Sequence, residues 1–385
     1  MALGAPPPES LEVTTRTRRR DGPAEAPSSR LAKSRFPENE VEKRANTTRY
    51  FYSSQGLKLK RPHSRVYGGH RLRPATILRR IGFFLVQVNR SRLLGRLWLA
   101  IFAVSRALPG PIGRRVADEI QPSYPGRKAR PLPALEIVIA CSPKDFEVLP
   151  ATIAITSRHL RNPIASATVV VPDASIKTMP TLGASVNVYG EDELVPKALL
   201  AAIRDHHPPG RYGWVLQQII GLYSAWASDS AGVLVLDSDT PLTRSRALLW
   251  PDRSQLLSFS HEYHQPYEEH ATRVWGPRKR HLGLSYVTHH QVMQPWVLRQ
   301  MFPEIHDIVT WVSAASTEEK SPLADYHSYG RWLCDNYPNR VLLGRWANKT
   351  VSRRSFSSLE PTALEREIKA RFPRYFSVSL HSYLA

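Results

Sequence analysis

Cysteine is scarce: Cys141 and Cys334 are the only two in 385 residues. Far apart and outside any Cys-x-x-Cys or Cys/His metal spacing, they exclude a disulfide framework and a zinc site, and are expected as buried free thiols. Long apolar runs are also lacking. Between residues 76 and 106 no uncharged run is longer than 97–105, far short of the roughly 20 apolar residues of a membrane-spanning helix. Met1 is not followed by the basic and then apolar order of a secretory signal. A cytoplasmic protein is the expectation.

Negative charge is missing from one region. No Asp or Glu occurs from Lys43 to Ala117, and residues 1–130 hold 27 Lys/Arg against 9 Asp/Glu, whereas residues 131–385 hold 26 against 24. The net charge of +20 therefore belongs to the N-terminal third, which repels itself unless an anionic partner compensates it. The remainder is nearly neutral, so nucleic acid is not the expected partner of the whole.

Four segments follow. Residues 1–45, rich in Pro, Ser, Glu and Arg, bury too little apolar surface to offset chain entropy and are expected as a disordered tail. Residues 46–133 form a basic segment that ends in a Pro-rich linker. Within it Ile77, Ile81, Phe84, Leu85 and Val88, then Leu93, Leu94, Leu97, Trp98, Ile101 and Val104, recur at roughly helical spacing, with Arg92, Arg96 and Arg106 on the other side of the second helix. Such amphipathic helices either lie on an anionic membrane surface, giving residues 43–117 a peripheral contact with its inner face, or pack against the following domain. Residues 134–350 are expected as the main domain and 351–385 as a C-terminal helical extension.

In the main domain, residues 135–140 read LEIVIA, the Ile/Val-rich run of a strand buried on both faces of a parallel sheet. Similar runs occur at 168–171 and 232–236, with a weaker one at 185–189. Helical patterns lie between them at 149–159, 191–205 and 212–228. This alternation predicts an α/β fold, a mostly parallel Rossmann-like sheet with flanking helices and ligands at the carboxyl ends of its strands. Further strands are expected at 256–260 and 284–288, and helices at 295–301, 304–313 and 325–337.

The strand Val233-Leu234-Val235-Leu236 ends in Asp237-Ser238-Asp239-Thr240-Pro241. Two carboxylates one residue apart at a strand end can share one Mg²⁺ or Mn²⁺, which in turn can bridge the phosphates of a nucleotide diphosphate. A solvated turn capped by Asp237 is the plainer alternative. Gln217 and Gln218 interrupt the core-like helix that feeds this strand, as ligand-binding amides or as surface residues. His289 and His290 adjoin the 284–288 run. Neighbouring strand residues face opposite ways, so one can reach the site while the other is a core histidine. Asp325 opens a helix bearing Tyr326, Tyr329 and Trp332, as a general base or as an N-cap.

Four blocks, GWVLQQ, VLVLDSDT, SYVTHH and ADYHSYGRWL, resemble in kind and order a bacterial family of unknown function assigned to the GT-A-like nucleotide-diphospho-sugar transferases. The resemblance runs from about residue 135 to 346. It implies a GT-A-like domain and a glycosyltransferase that takes its sugar from a nucleotide-diphosphate sugar donor to a hydroxyl acceptor. It also implies that Asp237 and Asp239 hold a metal-diphosphate and that the loop from Ser142 to Asp145 contacts the nucleoside, with Asp145 on the ribose or base unless it caps the next helix. Trp214, Gln217, Gln218, His289, His290 and Tyr326 then fall among the substrate-binding positions, with Asp325 as the catalytic carboxylate. Two departures stand out: Gly221 where the family commonly has a basic residue, and Ala324-Asp325-Tyr326 in place of Ser-Glu-Tyr. Two rivals differ in kind. A haloacid-dehalogenase-type phosphatase would place its Asp-x-Asp after the first strand rather than after several. A non-enzymatic basic protein binding membrane or nucleic acid would make the downstream blocks coincidence.

Overall fold

The computed structural model describes residues 131–385 apart from 184, 261–262, 279–283, 320 and 385. The expected tail, the amphipathic helices and the membrane contact of residues 43–117 lie outside the described residues. Among the described residues no helix is long and apolar enough to cross a membrane.

The architecture is α/β. Strands β1 (Leu135–Ala140), β2 (Ile164–Val171), β3 (Val186–Gly190), β4 (Val233–Leu236) and β6 (His290–Met293) form one sheet in the order β3-β2-β1-β4-β6. All neighbours are parallel except β6, which runs antiparallel to β4. Helices α1 (Leu149–His159), α2 (Glu191–Leu194), α3 (Lys197–His206) and α4 (Pro209–Ala227) supply the crossovers. β5 (Gln255–Phe259) comes before α5 (Gln265–Trp275), and beyond β6 lie α6 (Pro295–Met301), α7 (Ile305–Ser313) and α8 (Asp325–Asn336). β7 (Val341–Arg345) pairs with β5, and β8 (Asn348–Ser352) pairs with β9 (Ser377–His381) after α9 (Pro361–Arg371).

The central strands are buried on both faces, as a run such as VLVL requires. On one face Val138, Val233, Val235 and Met293 pack with α3, α4, α7 and α8. On the other, Ile137, Ile139, Leu234, Leu236 and Val292 pack with Leu149 and Phe376. A further cluster joins α1 to α9 and β9 through Val148, Ile155, Leu364, Ile368, Val378 and Leu380. α4 lies so close to β4 that a Cβ on Gly221 would stand 2.5 Å from Val235 Cγ1. A basic side chain has no place there, which accounts for the glycine.

Three expectations are corrected. The helix expected over 191–205 is two helices, because Pro196 cannot continue α2 and instead precedes α3. The strand expected over 284–288 is instead β6, which begins six residues later. Ser285 makes only an isolated bridge with Ser260, and the Thr288 hydroxyl donates to the His290 carbonyl at 2.7 Å just where pairing with β4 begins. The expected helical extension after residue 350 contains α9 but also β9, whose Val378 and Leu380 are wholly buried.

Candidate metal centre at the carboxyl edge of the sheet

At the end of β4 the chain leaves the sheet. The Asp237 N–H still donates to the His289 carbonyl at 3.0 Å, and the Thr240 N–H turns back onto the Asp237 carbonyl at 3.2 Å. Asp237 and Asp239 both join the cluster described next, while the buried Ser238 hydroxyl donates to Asp145 Oδ2 at 3.0 Å.

Asp237, Asp239 and His289 each offer one ligand atom, and these atoms lie within 4.8 Å of one another. His289 Nδ1 is 2.8 Å from Asp237 Oδ2, and both side chains are about a quarter exposed (27% and 25%). Asp239 is deeper. Burial alone would raise its pKa, but hydrogen bonding and charge from His381, with His289 and Thr240, bring the net shift down, so it stays ionised. Two carboxylate oxygens and an imidazole nitrogen at one edge form a donor set that fits a divalent cation.

α8 closes the other side. The Tyr326 hydroxyl donates to Asp237 Oδ1 at 3.3 Å. Asp325 is buried and its pKa is pushed up to about 8, chiefly by burial and further by the charge of Asp237. Gln218 does not point its acceptor at open solvent: its Oε1 accepts the Asp325 N–H at 3.0 Å, and its Nε2 donates to the Trp214 carbonyl at 3.4 Å. It thus ties α4 to the first turn of α8, satisfying one of the orphan donors of a helix start.

The structure therefore brings together Asp237, Asp239, His289, Gln218, Asp325 and Tyr326. Other expected residues stand apart. His290 is turned to the opposite face, against the Phe376 ring at 5.1 Å, with neither ring nitrogen hydrogen-bonded and its pKa pushed down to about 3 by burial and by the charges of His289 and Arg246. It is the core histidine of the pair. Asp145 is buried between Arg353 and Ser238, so both its oxygens are engaged. Gln217 and Ser142 are exposed, and Trp214 is half-buried against the core with Arg211 over its ring at 5.8 Å.

Sequence reasoning missed His381, Trp346 and Arg353. His381 Nδ1 lies 2.9 Å from Asp239 Oδ2, although 142 residues separate them. Trp346 stacks on His289 at 4.8 Å. Arg353 binds Asp145, the Lys144 carbonyl at 2.7 Å and the Leu380 carbonyl at 3.1 Å. The alternation Ser377-Val378-Ser379-Leu380-His381 was a legible strand signal. Nothing in the spacing paired that strand with the Asp-Ser-Asp triplet.

No family model matches the chain, and no curated protein matches it. The expected membership in a family of unknown function thus has no family match behind it. Solved structures similar in outline include mouse xyloside xylosyltransferase 1 in its apo form, 10% identical over 65% of this chain and 98% of that one, with a TM-score of 0.36. Another is the galactosyltransferase LgtC in complex with donor and acceptor sugar analogues, 13% identical over 65% of this chain and 88% of that one, with a TM-score of 0.37. Likenesses this distant carry no argument about the site.

Proposed function

We propose that the chain is a metal-dependent glycosyltransferase of the GT-A type that moves a sugar from a nucleotide-diphosphate sugar to an acceptor hydroxyl. The observation that carries this is the convergence of Asp237, Asp239 and His289 within 4.8 Å at the carboxyl edge of a mostly parallel sheet, where ligands of such sheets bind. Asp237, Asp239 and His289 would hold the cation. When bound there, a cation neutralises charge on a diphosphate leaving group.

The remaining roles belong to the protein's own groups. Tyr326 orients Asp237 through its hydroxyl. Asp325 is the carboxylate that takes the proton of the acceptor hydroxyl in an inverting transfer; with its pKa pushed up to about 8, it serves as a base only once ionised, so activity rises on the alkaline side of neutral. Gln218 fixes the backbone from which Asp325 projects. Calorimetry of the full chain with UDP-, GDP- and dTDP-sugars, with and without Mn²⁺, tests the reading. Metal-dependent binding of at least one sugar nucleotide is expected, abolished by Asp237→Asn or Asp239→Asn. Folded protein that binds none of them with metal present would sink it.

A further inference from the structure

A row of aromatic rings leads out of the metal centre. Trp346 stacks on His289 with centroids 4.8 Å apart, His289 faces His381 at 5.7 Å, and His381 stacks on Tyr383 at 4.8 Å with the planes 21° apart. The row begins in the carboxylate cluster and ends in the open, because Tyr383 is 73% exposed. A large aromatic ring left this accessible beside a cluster of carboxylates and imidazoles is the informative kind of exposure.

The ring is held in place from both sides along the chain. His381 is fixed by Asp239 at 2.9 Å, and the Leu380 N–H donates to the Asp239 carbonyl at 2.8 Å. On the far side, the Ser352 hydroxyl donates to the Leu384 carbonyl at 2.8 Å. Arg353 joins the same segment to the loop after β1, since it binds both the Leu380 carbonyl and Asp145. Tyr383 is thus stacked on the histidine that binds Asp239, and the Asp145 carboxylate expected to receive a nucleoside is engaged by Arg353 and Ser238.

We infer that Tyr383 is the stacking platform for the base of a nucleoside diphosphate whose phosphates lie at Asp237 and Asp239. This rests on the reading of the metal centre as a diphosphate site. Stacking is tolerant of base identity because every base has a π-face, so the platform binds pyrimidine and purine nucleotides alike.

The test is calorimetry of the full chain in Mn²⁺ with UDP, GDP, dTDP and inorganic pyrophosphate. For Tyr383→Ala, affinity for all three nucleotides is expected to fall roughly 10-fold or more, the range of a single base–aromatic stack, while pyrophosphate affinity stays unchanged. Tyr383→Phe keeps most of the nucleotide affinity. Unchanged nucleotide binding in Tyr383→Ala would overturn the inference, as would an equal loss for pyrophosphate, which would make Tyr383 a support for His381. Wild-type protein that binds pyrophosphate as tightly as the nucleotides would overturn the platform and leave the metal–diphosphate reading standing. Protein that binds neither would remove both.

Discussion

Replacing Arg353 tests the claim that a buried ion pair fixes the C-terminal strand against the loop after β1. Its guanidinium is 4% exposed and serves Asp145, the Lys144 and Leu380 carbonyls, and Glu147 at 3.0 Å. Glu147 is 60% exposed, so that arm contributes little. Asp145 is different: without Arg353 it keeps only the Ser238 hydroxyl, in a site where a carboxylate needs a charged partner. Removing one member of a buried pair costs about 3–5 kcal/mol, and two carbonyls lose donors as well. Arg353→Met should therefore lower the unfolding free energy in urea by about 4 kcal/mol and the melting temperature by roughly 10 °C. The double variant Asp145→Asn/Arg353→Met should recover a large part of that loss, because no unpaired charge is left behind. A loss below about 1 kcal/mol for Arg353→Met, the level of an exposed ion pair, would refute the reasoning. So would a double variant less stable than the single one.

Three further outcomes are expected. Gly221→Ala forces a methyl group against Val235 Cγ1 and should destabilise by about 1–2 kcal/mol after the gain in helix propensity is set against it, read from urea midpoints. Gln218→Leu removes the acceptor of the Asp325 N–H and should lower kcat while leaving Mn²⁺ affinity intact; an equal loss of metal binding would assign Gln218 another role. Burial alone would raise the pKa of Glu268, but hydrogen bonds from His327 and Arg278 and the charges of Arg278 and Arg331 hold it at about 2. Its folded pKa lies below the unfolded value, so its contribution, roughly 3 kcal/mol, is complete above pH 4.5 and is lost as pH falls toward 2. Glu268→Gln should flatten that acid limb of the stability profile.

The elements set by local pattern were legible. The LEIVIA strand and the helix at Leu149–His159 have the bounds read from sequence, since each is decided by its own apolar periodicity. Where a choice depended on a distant partner, periodicity failed. The run at 284–288 is as strand-like as HQVM, but β4 has one free edge and its register runs Val233↔Met293 to Leu236↔His290, so pairing selects the later segment. That shift also settles the two histidines. With His290 opening the strand, its side chain goes to the face of Leu236 and Phe376, and His289 is left against Asp237.

The site was legible to the extent that chemistry sits on a short segment. Asp237 and Asp239 declare themselves because a strand end and two carboxylates are adjacent in sequence, and His289 because its block follows the same sheet. Their supports do not, since each is a neutral or paired residue whose meaning comes from contact: Gln218 reads as a ligand-binding amide until its Oε1 is found on the Asp325 N–H. His381 reads as a tail residue until β9 is laid beside β8. The same physics explains why Asp145 misleads. A carboxylate just past the first strand is equally suited to a ribose and to a guanidinium, and only the fold, by burying Arg353 against it, decides between them. That decision leaves Asp145 to hold the loop after β1 against Arg353 and, through it, against β9.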